Sequence, residues 1–182
     1  MAVILTGPEI VRCVAAGEIY IDDFCPSRVE PNSYAFRLAP RLLQYDGDVL
    51  DSFERQEVTE LLVGTEGTVL EPGRFYLGAT MEGMGSPHYA ATLYACRSVS
   101  TLGIWIQFSA PLGHSGAVFP WTLEITVANP VRVYPGMVIG KLAFWAMQGE
   151  ALQYDGKYTG SAAAVASRLS QDGMASSRQV GA

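Results

Sequence analysis

At 182 residues the chain is long enough to bury one real core, and 49% apolar against 16% charged residues marks a packed domain rather than a disordered segment. A net charge of −6 argues against a broad nucleic-acid footprint, although a few local Arg, Lys and backbone N–H groups suffice to hold an anionic nucleotide. Three cysteines (Cys13, Cys25, Cys96) without short spacing imply neither a disulfide framework nor a zinc knuckle, no basic segment precedes an apolar stretch at the start, and no run approaches the ~18 apolar residues of a membrane span; a reducing cytoplasm is the expected setting.

One helix is signalled near the start. Thr6 and Glu9 have the T-x-x-E spacing of a capping box, Pro8 suits a first turn, Ile10, Val11 and Val14 supply the apolar stripe, and Gly17 ends it. Short strands follow, cut by turns. "EIYIDDF" alternates, "SYAFRLA" follows Pro31, and "RLLQY" precedes the Asp46–Gly47 turn. "TVLEPGRFYLGAT" breaks at Pro72–Gly73, and "ATLYAC", "LGIWIQFS", "WTLEITVA", "VRVYPG" and "IGKLAFWAM" complete the series. Strands spaced by roughly 8–12 residues with Gly/Pro turns predict a sandwich or barrel, so the fold class is mainly β with an N-terminal helix. After Tyr158 the pattern stops: residues 1–160 read as the folded domain and 161–182, small and polar, as a flexible tail and possible lid.

One residue of "WTLEITVA" bears on chemistry. Leu123, Ile125 and Val127 point to one face of the strand, whereas Thr122, Glu124 and Thr126 point to the other, so a lone carboxylate lies between two hydroxyls on the polar face. Such a face is either solvent or a site. Several chemistries are disfavoured: neither His88 nor His114 lies near a P-C-x-x-C pair, as a zinc deaminase requires, and the chain has no G-x-x-x-x-G-K-[ST] loop, no G-x-G-x-x-G after a strand and no G-x-S-x-G elbow.

Several stretches, in one shared order, resemble the dCTP deaminase branch of the dUTPase-like superfamily. These are "VILTGPEIVRCVAAGEIYIDDF", "VEPNSYAFRLA", "LEPGRFYLGATME", "CRSVSTLGI", "TLEITVANPVRVYPGMVIGKLAF" and "YDGKYTGSAAAVASRL". The resemblance implies a jelly-roll β-barrel assembled as a homotrimer, with nucleotide sites between subunits. It implies that Glu124 is the general base for water attacking C4 of cytosine, with Ser98 and the backbone carbonyl of Ala110 holding that water. Arg97, Val99, Leu112, His114, Tyr154, Lys157 and Tyr158 fall at substrate-binding positions. The implied substrate is a deoxycytidine nucleotide, nominally dCTP converted to dUTP and ammonia. Mg2+ is expected to arrive on the substrate phosphates, with no zinc, no nucleic acid and no membrane partner.

The departures from the family pattern are concentrated where phosphate is bound. Val99 replaces the second serine of the R-S-S loop, Thr101 stands for an arginine, and Leu112 stands where an arginine or phenylalanine is common. His114 replaces an aspartate that contacts the sugar and, in dUTPases, orients the attacking water; Ala35 and Ala162 replace an aspartate and a glutamine. Each lost charged contact is worth about 1.5–3 kcal/mol. Two alternatives to a deaminase therefore stand beside it: a nucleotide-binding or structural trimer without catalysis, and a dUTP pyrophosphatase.

Overall fold

The structure, a computed structural model, describes residues 3–172. In chain order the strands are β1 (Val3–Ile4), β2 (Tyr20–Ile21), β3 (Val29–Glu30), β4 (Ser33–Arg37), β5 (Arg41–Tyr45), β6 (Val58–Leu62) and β7 (Thr68–Leu70). They continue with β8 (Tyr76–Gly85), β9 (Tyr89–Ala95), β10 (Ile104–Trp105), β11 (Leu112–Gly113), β12 (Phe119–Val127), β13 (Val131–Val133) and β14 (Val138–Ala146). Helix α1 (Gly7–Ala15) follows β1, and a short helix α2 (Arg97–Thr101) joins β9 to β10.

The strands form two six-stranded sheets, ordered β11-β9-β14-β4-β3 with β1 on β14, and β10-β12-β8-β5-β6 with β2 on β8; β13 and β7 make a separate ribbon. The pairings are antiparallel throughout. The fold is thus mainly β as expected, and its connectivity among the described residues is two sheets rather than one closed ring. Phe36, Leu142 and Phe144 from the first sheet and Leu42, Met84, Leu123 and Ile125 from the second are buried in a single apolar core. No helix among the described residues is long and apolar enough to cross a membrane.

Several local expectations change. Helix α1 is where the apolar stripe puts it, and Gly17 adopts φ +70°, the left-handed conformation that ends helices. The capping box does not form: Thr6 makes no side-chain cap bond, and Glu9 turns to Arg12 at 2.8 Å, which also holds Glu18. The pairing with Arg12 draws the Glu9 carboxylate away from the helix start. "LGIWIQFS" is strand only at Ile104–Trp105: "RSVST" before it coils into α2, and the residues after it form a loop whose Phe108 and Ser109 N–H groups donate to Glu124. Strand β6 went unpredicted, since "VTELL" is a largely exposed strand at the sheet edge.

Strand β8 runs five residues past Thr80, and the reason is a buried charge cluster. Pro120 pairs with Gly83 but Thr122 with Ala79, so β8 carries an irregular segment opposite Trp121. In it, Thr80 supplies the acceptor for Trp121 N–H at 2.9 Å, and Glu82 turns inward, 1% exposed. The Glu82 carboxylate accepts from Arg28, from the Arg37 side chain at 2.7 Å and from the Arg37 backbone N–H at 3.0 Å. Arg37 reaches Asp23 at 2.5 Å, Arg28 lies over the Tyr34 ring, and the hydrogen bond to Glu82 holds the Arg37 guanidinium above its ordinary basicity. The cluster ties β4, β8 and the segment before β3 together.

Candidate functional site

A cavity of about 530 Å³ opens beside β12, and its shape follows from how that strand is pinned. Leu123 and Ile125 are fully buried and Val127 nearly so, while Thr122, Glu124 and Thr126 are half-buried on the opposite face, as the alternation requires. Trp121 fixes the register: its indole N–H donates to Met84 O at 2.9 Å, and its ring lies against Gly113 on β11. A Cβ on Gly113 would sit 1.8 Å from the Trp121 ring. Gly113→Ala is therefore expected to cost about 1–3 kcal/mol through overpacking, seen as a lower midpoint in a urea melt.

Glu124 lies in the wall of this cavity. Its backbone N–H donates to Ile106 O at 3.0 Å, and one carboxylate oxygen accepts from Phe108 N–H at 2.9 Å and Ser109 N–H at 3.4 Å. The loop between β10 and β11 thus folds over the carboxylate, fixing one oxygen and leaving the other for a water or ligand. Phe108 packs on Phe75, a residue of the cavity wall, with ring centroids 6.4 Å apart.

Of the residues nominated from the sequence, Ala110, Leu112, His114, Tyr154 and Tyr158 line the same cavity as Glu124. His114 stacks on Tyr154 with centroids 5.7 Å apart and planes 9° from parallel, and Phe119 leans on the same tyrosine. The Tyr154 backbone N–H donates to Ser115 O at 2.7 Å, which seats the start of the tail segment on the domain. Lys157 does not line the cavity; its ammonium pairs with Asp172 and lies 5.7 Å from the Tyr158 ring.

The loop "RSV" is placed elsewhere. Arg97 and Ser98 are exposed on α2 and do not line the cavity with Glu124 within one chain. Val99, nominated at a substrate-binding position, is 5% exposed and packed into the core, so its side chain anchors α2 and only its backbone is left for a ligand. An apolar residue here follows the burial of that position.

The tail segment is ordered further than its composition implies. Val165 N–H donates to Thr122 Oγ1 at 3.2 Å, Ser167 N–H to the Tyr45 hydroxyl at 2.8 Å, and Arg168 N–H to the Tyr158 hydroxyl at 3.1 Å. Ser161, Val165 and Ser167 consequently form part of the cavity wall. The remainder of the expected lid, residues 173–182, lies outside the described residues. Tyr45, Phe75, Gln107, Thr122 and the tail contacts were not found from the sequence; only Thr122, two residues from Glu124 on the same strand face, carried a readable signal.

Among the described residues Glu124 is the sole carboxylate that lines the cavity, and no Arg or Lys lines it. The arrangement places one carboxylate and one imidazole in a pocket walled by aromatic rings and hydroxyls. Among the described residues no group of three His, Cys, Asp or Glu side chains is placed to hold a metal ion.

Comparison with known proteins adds an independent line. A family model described as "dCTP deaminase-like" matches residues 4–147. A Cytophaga hutchinsonii protein named "dCTP deaminase, dUMP-forming" is 37% identical over 156 residues, 85% of this chain and 90% of its own length. A Hathewaya histolytica protein of the same name is 35% identical over 170 residues, 93% of this chain and 98% of its own. A Rhodopirellula baltica protein named "dCTP deaminase" is 35% identical over 148 residues, 81% of this chain and 74% of its own. The crystal structure of 2'-deoxycytidine 5'-triphosphate deaminase from Agrobacterium tumefaciens superposes with a TM-score of 0.64 at 20% identity, over 80% of this chain and 49% of that one; this likeness is one of fold.

Proposed function

The chain belongs to the dCTP deaminase-like family, and from that membership we propose that it hydrolyses the C4 amine of a deoxycytidine nucleotide, dCTP foremost. The observation that carries the reading is the Glu124 carboxylate held at the wall of a nucleoside-sized cavity by two loop N–H groups. Glu124 takes a proton from water as the water oxygen bonds to C4. It delivers that proton to N3 and then carries the proton of the new C4 hydroxyl to the exocyclic nitrogen; the C4–N bond breaks as the C4 carbonyl forms, ammonia leaves, and the ring is uracil. The Ala110 carbonyl, and Ser98 of an adjacent copy, would hold the water.

The phosphates need charge, and among the described residues no Arg or Lys lines the cavity to supply it. We therefore keep the assembly implied by the resemblance, a jelly-roll homotrimer in which Arg97 and Ser98 of one copy complete the site of the next. Mg2+ would ride on the phosphate oxygens and water. Three free thiols favour a reducing, cytoplasmic setting.

The reading for this chain stops at dUTP. The names of the Cytophaga and Hathewaya relatives include formation of dUMP, which requires a second hydrolysis at phosphate. Among the described residues Glu124 is the only carboxylate lining the cavity, and by the resemblance His114, also in its wall, stands where dUTPases have the water-orienting aspartate. Incubation of the full chain with dCTP and Mg2+ is expected to release ammonia and dUTP in equal amounts. Ammonia accompanied by pyrophosphate and dUMP would overturn the product assignment, and absence of ammonia from every cytosine nucleotide would overturn the deaminase.

The tail contributes to the same site. Removing residues 161–182 takes away the wall formed by Ser161, Val165 and Ser167 and admits bulk water beside Glu124. About a 10-fold or larger fall in kcat/KM is expected, the equivalent of at least one net hydrogen bond and its exclusion of water. Steady-state kinetics of the truncated chain beside the full one checks it.

A further inference from the structure

The three backbone N–H groups of Phe108, Ser109 and Ala110 all point inward from one turn, and two side chains account for them. Glu124 accepts from Phe108 at 2.9 Å and, more distantly, from Ser109 at 3.4 Å. Of the two orientations of the Gln107 amide, one directs its oxygen to Ser109 N–H at 3.0 Å and Ala110 N–H at 3.2 Å, satisfying donors and acceptor together. Ser109 N–H is thus shared between the amide oxygen of Gln107 and the carboxylate of Glu124. Gln107, Ala110 and Glu124 line the same cavity.

We infer that Gln107 is a positioning residue for the deamination: its amide oxygen holds the 107–110 turn so that the Ala110 carbonyl and the free oxygen of Glu124 converge on one water. The inference rests on the reading of Glu124 as the base. Without the amide oxygen, Ala110 N–H has no side chain to bind and the turn loses the contact that orients its last peptide. Ser109 N–H is then released to Glu124 alone, and a carboxylate that accepts more fully from N–H groups is a weaker base. The two effects act in the same direction, and neither needs Gln107 to touch the substrate.

The sequence gives no hint of this role, because a glutamine in the loop after a short edge strand is ordinary. The alternative, that Gln107 merely stabilises a surface loop, makes a different prediction for the pH profile. The other titratable groups lining the cavity are His114, Tyr45, Tyr154 and Tyr158, and none of them changes in the variants below.

The test compares wild type, Gln107→Ala and Gln107→Glu for ammonia release from dCTP across pH. Gln107→Ala is expected to lose kcat by a factor on the order of 100, the effect of displacing a reacting group by about 1 Å, with KM changed much less. Gln107→Glu keeps an acceptor oxygen for Ser109 and Ala110, so above its acid limb it should recover most of kcat. A second carboxylate beside Glu124 should also move that limb to higher pH, because like charges disfavour ionisation of each other. An unshifted limb in Gln107→Glu together with kcat within twofold of wild type in Gln107→Ala overturns the inference while leaving the deaminase intact. If Gln107→Ala does not fold, as judged by its thermal melt, the limb of Gln107→Glu decides alone. A wild type that releases no ammonia removes the inference together with the function on which it rests.

Discussion

Glu124→Gln is expected to lower ammonia release from dCTP by a factor of about 10²–10⁴, the usual contribution of a positioned general base. The substitution is nearly isosteric. Its carbonyl oxygen still accepts from Phe108 N–H, the contact made at 2.9 Å in the native chain, so the turn over the site stays closed. The neighbours Leu123 and Ile125 keep β12 in register through the core. The melting temperature should therefore barely change while turnover collapses, and binding of dCTP measured by calorimetry should survive. A Glu124→Gln protein that turns over within tenfold of wild type would remove Glu124 from the mechanism. A wild type that binds dCTP with no turnover would instead favour the non-catalytic trimer.

The largest loss of stability is expected at Glu82, which is remote from any chemistry. Its side chain is fully buried, between Arg28 at 13% and Arg37 at 26% side-chain exposure. Glu82→Ala leaves two half-sequestered guanidinium groups without their shared carboxylate and strips the Arg37 backbone N–H of its acceptor. Removing one partner of a buried charge cluster costs about 3–5 kcal/mol. For a chain of this length that corresponds to a fall in melting temperature on the order of 10 °C. Urea denaturation gives the free energy directly, and a loss below ~1 kcal/mol would show that solvent screens the cluster. Asp23, which is exposed and meets Arg37 at 2.5 Å, should be worth far less when replaced by Asn.

The difference between what was legible and what was not is one of range. Strand alternation in "WTLEITVA" placed Glu124 on the cavity side and Leu123 and Ile125 in the core, because the period of two is a local property. Helix α1 was legible for the same reason, as was the turn at Gly17. "MEGMG" was not legible as strand: two glycines and a glutamate argue for a turn unless the arginines that neutralise the glutamate are known, and these lie 45 and 54 residues away in the chain. The five residues of α2 are too few to show helical periodicity, and burial of Val99 depends on a core assembled from distant strands. The tail escaped because its contacts run from backbone N–H groups to Thr122, Tyr45 and Tyr158, and backbone donors carry no sequence signature. The resemblance brought Arg97 and Ser98 into one list with Glu124; a single chain keeps them apart.

The uneven ladder between β8 and β12 has an implication for length variation. Between the pairs Pro120–Gly83 and Thr122–Ala79, β12 advances two steps while β8 advances four. Excising two residues from this stretch would even out the pairing and, because the surplus is a multiple of the strand period, would leave every later side chain on its present side. It would also delete either the hydroxyl that receives the Trp121 N–H or the acid that neutralises Arg28 and Arg37. The surplus is therefore a store of polar partners: a relative shortened at Glu82 would have to exchange both arginines for uncharged residues at once, and one shortened at Thr80 would have to find another acceptor for the Trp121 N–H.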